Sequence, residues 1–397
     1  MTIEEATQTP AGTIGAEGLL AAADDIGSRL RERSAEGEAQ GRPTEATMNA
    51  MREAGLFRLF APRSLGGLEV DPVTCARVIE AVARFDSAAG WAIMVANSVD
   101  WWCSRLPDEG AEEIYAEGPD AILATAFQPP VEATAANGGY RLSGQRPLAS
   151  NVHEADWLML TAEVAAADGE RAAIGAIFPA GEAEIVDTWY SLGMRGTDSN
   201  DVAVDGVFVP ATRMFVMGPE LEPGRHYTGP LYRFPAIGQA AVVVPPTALA
   251  VAREAIEWVR ELARGKTPFG SGTVLRQRGV AQAKLARAEA ILRSARLLFY
   301  ATLERAWERT VAGASSTLEQ KADLALAGAH AVASSVKAVD LVYSLAGTSG
   351  IYARSPLERH FRDVQTVRHH GFCSEGRYET AGQVYLGVEP EFGFVTL

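Results

Sequence analysis

Apolar positions in the first hundred residues recur with a helical period. From Ala16 to about Trp102, Ala, Leu, Arg and Glu keep helical spacing, with Gly or Pro at the breaks. The pattern predicts a helix over Met48–Leu56 running into a Gly66–Gly67 turn, then helices over Ala76–Arg84 and Ala88–Trp102. Near Ile122 the period shortens. AILATAF, GYRLSGQRPLAS, DWLMLTAEV, RAAIGAIFPA and NDVAVDGVFVP are short, alternating or β-rich, and separated by Gly, Asn and Asp. That predicts a small antiparallel β-domain of about 100 residues. Beyond Gly229 the helical period returns in four long segments, near residues 237–264, 273–311, 317–346 and 356–387. In the second, Leu285, Ala288, Ile291, Leu292, Ala295, Leu298, Phe299 and Leu303 share one stripe, as a helix bundle requires. The expected plan is α+β: an N-terminal helical domain (1–121), a central antiparallel β-domain (122–228) and a C-terminal four-helix bundle (229–397). Residues 1–14 read as a disordered lead-in.

Composition narrows the function classes. A formal net charge of -14 argues against nucleic acid or an anionic membrane surface, because phosphate binding needs a basic face. Cys75, Cys103 and Cys373 are odd in number and unevenly spaced, so a reduced compartment is expected rather than a disulfide framework or a zinc cluster. The start, MTIEEATQTPAGT, lacks the basic and apolar regions of a signal peptide. Gln239 and Pro245–Pro246 interrupt the longest apolar run, around Ala236–Ala252, which makes it a poor membrane span. The expectation is a soluble cytoplasmic protein.

No GxGxxG or GxxxxGK[ST] follows a predicted strand, and neither GxSxG nor HExxH is present. Candidate chemistry therefore concentrates on six histidines. His226 and His330 are isolated, and His153 falls in a loop, SNVHEADW. The stretch LERHFRDVQTVRHHGFCSEGRYETAGQVYLG places His360, His369 and His370 on one predicted helical segment. His360 and His370 point about 80° apart at roughly 100° per residue, which is no metal pair. Trp91, Trp101 and Trp102 share a predicted helix, where they either pack a core or line a cavity.

Three stretches carry a resemblance: GYRLSGQRPLASNVHEADWLML, WYSLGMRGTDSNDVAVDGVFVP and FRDVQTVRHH. Together they resemble the acyl-CoA dehydrogenase superfamily over nearly the whole chain. Within it the chain looks most like the flavin-dependent oxygenases of two-component systems, of the para-hydroxyphenylacetate hydroxylase and dibenzothiophene monooxygenase type. The dehydrogenases place a Glu-Gly pair after the Arg-Asp motif, where this chain has RHHGF. The monooxygenases place a histidine eight residues after the motif's Arg, and here that residue is His370.

The resemblance implies an enzyme that takes reduced FMN (or FAD) from a separate NAD(P)H-dependent reductase. With O2 it would hydroxylate an aromatic or heteroaromatic compound through a C4a-hydroperoxide, as a homotetramer. It implies His370 as the catalytic imidazole, with His369 as the competing candidate, and Ser150 as the flavin N5 partner unless it only satisfies its own turn. Leu148 stands where the dehydrogenases stack a Trp. Implied cofactor contacts are Phe127, Gln128, Asn151, Arg195, Thr197, Lys266, Phe269, Gly347 and Thr348, although AFQPPVEAT departs from the dehydrogenase loop. Trp91, Met94, Asn97 and Trp101 are the expected substrate walls, and Arg362–Asp363 an expected ion pair. The alternatives are an acyl-CoA dehydrogenase or related desaturating enzyme, with Glu254, Glu257 or Glu261 as base, and a flavin-binding protein without turnover.

Overall fold

Five helices open the chain in a computed structural model that describes residues 15–165, 171–218 and 222–396. The expected lead-in at 1–14 lies outside the described residues. Helix α1 (Ala16–Gln40) stops at Gly41, whose left-handed backbone (φ 78°) suits a residue without Cβ. Thr44 caps α2 (Glu45–Glu53) and Asp71 caps α3 (Pro72–Ala83), each side chain accepting an orphan backbone N–H. Helix α4 (Ser87–Cys103) is apolar on every face and therefore central, with Trp91, Ile93, Met94, Asn97 and Trp101 all buried. Helix α5 (Asp108–Ile114) leads into the sheet.

Seven strands follow: β1 (Leu123–Ala136), β2 (Gly139–Ala149), β3 (Trp157–Ala165), β4 (Arg171–Pro179), β5 (Glu184–Val186), β6 (Asn200–Pro210) and β7 (Met214–Val216). Their order across the sheet is β5-β6-β2-β1-β3-β4-β7. The expected all-antiparallel sheet needs correction, because β1 and β3 run parallel. The hairpin partner β2 occupies one edge of β1. The turn at Ser150–Asp156 then carries the chain past the start of β1 to its other edge, where Asp156 and Trp157 donate to the Ile122 carbonyl. In β3, Leu158, Leu160 and Ala162 enter the sheet's own core, while Met159 joins the helical core behind it.

The C-terminal part comprises α6 (Ala236–Val243), α7 (Pro245–Gly265), α8 (Gly279–Val311), α9 (Leu318–Ala346), α10 (Pro356–Val367) and α11 (Gly376–Tyr385). Two of the four expected segments are therefore interrupted. Pro245 and Pro246 lack the N–H groups that would continue α6 into α7. The last segment breaks over residues 368–375, where His370 and Cys373 take tight turns back to the Val367 and His370 carbonyls. His369 and His370 sit in this break rather than on a helix, and the last helix stops at Tyr385, short of the expected end near 387. On α8 the stripe buries Ala288, Leu292, Ala295, Phe299 and Leu303, but Leu298, about 100° round from Phe299, is 39% exposed.

Helices from both ends of the chain share one core, which joins Leu19, Ile79, Ile93, Ile256, Leu292 and Val364. Among the described residues, the two stretches apolar enough to cross a membrane by length and composition, Ala236–Gly265 and Leu318–Gly350, belong to this assembly. Their most apolar windows are 94% and 67% buried.

Candidate active site

Three distant pieces of sequence meet at Trp91. Its indole on α4 packs edge-on against the His370 ring at 5.5 Å, and its Nε1–H donates to Ser150 Oγ at 3.1 Å. The two expected catalytic residues are thus bridged by one of the expected substrate walls. Ser150 Oγ lies 2.7 Å from Ser199 Oγ, which lies 2.7 Å from Thr197 Oγ1, and Thr197 donates to the Met194 carbonyl at 2.8 Å. All three hydroxyls are buried.

The two turns that carry these hydroxyls are strained. Leu148 (φ 67°) and Asn151 (φ 60°) flank Ser150, while Met194 (φ 53°) and Asp198 (φ 54°) flank the facing turn. A left-handed backbone costs a side-chain-bearing residue on the order of 1–2 kcal/mol, so four together need a framework that over-determines them. Buried Asp198 accepts from the His153 backbone N–H and Nδ1, each at 2.7 Å, and from Asn200 Nδ2 at 2.8 Å. Asn151 N–H donates to the Thr197 carbonyl at 2.8 Å and ties the turns together. Asp363 accepts from Met194 N–H at 2.6 Å and from Ser87 Oγ at 2.7 Å, which docks α10 on the second turn and on α4.

The expected Arg362–Asp363 pair is not formed, because neighbours on a helix point about 100° apart. Arg362 binds Glu38 and Glu358, while Asp363 faces Arg359 at 3.5 Å. Burial pushes the His370 imidazole down to about 4. Although the ring keeps some solvent contact, Trp91 and Phe372 enclose it at 5.5 Å each, so it is neutral at pH 7. Phe372 N–H points at His370 Nδ1 (3.4 Å), which leaves Nε2–H as the donor that the ring offers. His369 is exposed.

Burial likewise holds His360 down to about 4, with Arg359 and Arg31 adding to the effect and Asp363 opposing it. Two rings that refuse protons when folded give a signed expectation. The unfolded chain binds protons below about 6.5 that the folded chain does not take up until about 4. The stability is complete above 6.5 and is lost as pH falls through that window. The unfolding free energy from urea titration should drop between pH 7 and pH 5, by at most about 2 kcal/mol per ring and with a lower midpoint, and His360→Gln should shrink the drop. A midpoint unchanged over that range would refute the expectation.

An aromatic wall runs on from His370. Phe372 meets Phe394 at 4.7 Å and Phe127 at 6.1 Å, and Phe127 meets Trp102 at 6.0 Å. The sequence reading missed Phe372 and Phe394. The only hint of them was the aromatic-glycine text GFC and FGF beside the histidines and near the end. Two expected walls belong elsewhere. Asn97 is fully enclosed, accepting from Phe60 N–H and donating to the Leu56 and Ile93 carbonyls, so it staples α4 to the chain before α3. Trp101 donates to the Leu231 carbonyl and packs under Arg105. Met94 is buried one turn along α4 from Trp91.

The expected cofactor contacts divide into two groups. Ser150, Asn151 and Thr197 belong to the site just described, with Phe127 on its wall and Gln128 exposed beside it. Arg195 is exposed and donates to the Ser191 carbonyl of its own turn. Lys266, Phe269, Gly347 and Thr348 line a separate open groove. There Lys266 Nζ donates to Ser349 Oγ at 2.7 Å, and Phe269 stands fully in solvent. Gly350 packs on Leu357 near the start of α10 whereas His370 follows its end, so about 18 Å of helix separates the groups.

The first group fits the polar edge of a flavin. Both amide atoms of Asn151, a residue 1% exposed, find no hydrogen-bond partner among the described residues. A buried amide without partners is costly, and a ring edge that offers both donor and acceptor would satisfy it. The exposed Leu148 side chain leaves an apolar surface beside that edge.

Known proteins resemble the chain over most of its length. The family model described as acyl-CoA dehydrogenase, N-terminal domain, matches residues 21–109, and the one described as acyl-CoA dehydrogenase, C-terminal domain, matches 242–375. The chain is 32% identical to the indole-3-acetate monooxygenase of Pseudomonas putida, over 93% of this chain and 94% of that protein. It is 24% identical to the flavin-dependent monooxygenase oxygenase subunit HsaA of Mycobacterium tuberculosis, over 94% and 97%. The solved structure of XiaF from Streptomyces sp., in complex with FADH2 and glycerol, superposes with a TM-score of 0.90 at 26% identity, covering 95% of this chain and 96% of that one. The chain belongs to the acyl-CoA dehydrogenase superfamily and, within it, to the flavin-dependent monooxygenases that serve as oxygenase components.

Proposed function

We propose that this monooxygenase hydroxylates a small aromatic or heteroaromatic compound, and that an indole or phenol is the first class to try. The observation that carries the reading is a neutral His370 held against Trp91 and Phe372, where the aromatic wall begins. An apolar pocket with few polar groups binds a flat ring by area and orients it by those groups.

When bound, reduced flavin would supply the electrons that activate O2. Ser150 would hold the N5 edge, Asn151 would bond the polar edge beside it, and Thr197 would keep Ser150 in place. Trp91 positions His370 and Ser150 together. His370 Nε2–H donates to the oxygen being delivered, a role that suits an uncharged ring. Phe127, Phe372 and Phe394 exclude water, which would otherwise divert that oxygen from the substrate. Lys266, Phe269, Gly347 and Thr348 would serve the cofactor of a neighbouring subunit, and we propose a homotetramer on that ground. A separate NAD(P)H-dependent reductase would provide reduced FMN or FAD, and the cytoplasm is the proposed location.

The test is to mix protein and reduced flavin with O2 against indole-3-acetate, phenols and fused heteroaromatics. Hydroxylated product carrying 18O from 18O2 is expected from at least one class. Absence of product across the panel, together with oxidation of an acyl-CoA by a dye acceptor, would return the dehydrogenase reading, which the relatives' activities do not favour.

A further inference from the structure

We propose that Thr197 and Ser199 lock the Ser150 hydroxyl as a hydrogen-bond acceptor, and that this polarity makes the site prefer reduced over oxidised flavin. The inference rests on the reading above in which Ser150 faces the flavin N5 edge.

The argument is a count of protons. Each hydroxyl owns one, and a carbonyl owns none. Thr197 Oγ1 lies 2.8 Å from the Met194 carbonyl, so the threonine proton must lie on that line. Trp189 Nε1–H and Thr197 N–H also converge on this carbonyl, at 3.0 and 3.1 Å, and Asp363 fixes the Met194 N–H. The acceptor is therefore held rigidly. With its proton committed, Thr197 can only accept from Ser199, 2.7 Å away. Ser199 has then spent its own proton, and the 2.7 Å contact with Ser150 must be filled by the Ser150 proton. Trp91 Nε1–H, which can only donate, takes one Ser150 lone pair at 3.1 Å.

Every other arrangement leaves two oxygens within hydrogen-bond distance and no proton between them. Water offers no relief, since Thr197, Ser199 and Ser150 are 2%, 5% and 7% exposed. What Ser150 has left is one lone pair and no proton.

Reduced flavin carries a proton on N5 and donates there, whereas oxidised flavin presents an N5 lone pair. Ser150 accepts from the first and opposes the second. Nothing in the relay ionises near neutral pH, so the direction of its hydroxyl protons does not change between about pH 5 and 9. An oxygenase that depends on another protein for reduced flavin thereby holds the spent cofactor less tightly than the fresh one.

The test titrates the full-length protein anaerobically with FMN and with FAD in both redox states and compares the ratio of oxidised to reduced Kd. Ser199→Ala frees the Ser150 proton directly. Thr197→Val frees it indirectly, because Ser199 then donates to Ser150. Both should lower the ratio about tenfold, mainly by tightening oxidised flavin, the loss of about one hydrogen bond's discrimination. Thr197→Ser keeps both bonds and should retain the wild-type ratio. A purely structural role would weaken both redox states together and leave the ratio alone, and that result in both variants overturns the proposal. If Ser150→Ala changes the ratio while Ser199→Ala and Thr197→Val do not, the Ser150 contact stands and the polarity argument fails. If Ser150→Ala alters neither affinity, the assignment of Ser150 to the flavin fails, and the proposal with it.

Discussion

Replacement of His370 by alanine should lower the rate of hydroxylation by about a hundredfold or more, the usual worth of a positioned proton donor. Reduced flavin should still bind within a few-fold of wild type, because the hydroxyl relay and the Asn151 amide do not touch the imidazole. Oxygen uptake should continue with H2O2 as its product. His370→Asn, which returns a neutral donor of smaller reach, should recover part of the coupling. His369→Ala should change little, since that ring is exposed while its neighbour packs on Trp91 and Phe372. Product and peroxide measured per flavin oxidised in each variant decide the matter. Full coupling in His370→Ala would remove the imidazole from the chemistry.

The largest loss of stability is expected from Asp363→Ala. This carboxylate is 1% exposed, yet it serves Met194 N–H, Ser87 Oγ and Arg359 at once. Its removal orphans a buried N–H and leaves the Arg359 guanidinium, still paired with Asp86 at 2.9 Å, short of one counter-charge. Breaking such a cluster from one side costs roughly 3 kcal/mol. The same change frees the strained Met194 turn, so flavin affinity should fall along with the denaturant midpoint. Asp363→Asn keeps an acceptor of the same shape and should lose less of both. If Asp363→Ala shifted stability by under about 1 kcal/mol, the docking role given to α10 would be wrong.

Legibility differed by residue. Ser150 and His370 became candidates because each stands in a short stretch whose neighbours, PLASN and FRDVQTVRHH, resemble a family pattern. Asn97 and Trp101 were misplaced because a helix buried on all sides gives no hint which face meets a cavity and which meets packed backbone. Arg362 and Asp363 are adjacent in sequence, and each has a partner four residues back on α10, but their distant partners lie on α1 and in the 193–197 turn, and no local pattern could reveal those. The break that releases His370 from a helix was hidden by an apolar period that continues through it.

The sequence by itself determined the helix–sheet–helix plan, the positions of most elements and the candidacy of the imidazole. Those follow from periodicity and local motifs, which act within a few turns of chain. Only the tertiary structure decided that Trp91 bridges His370 to Ser150, that β3 returns parallel to β1, and that Phe372 and Phe394 build the wall. The protonation direction of the Ser150 relay belongs to the same level. It is set by short contacts between the turns at 148–151 and 194–199, and only the packed sheet brings those turns within hydrogen-bond reach.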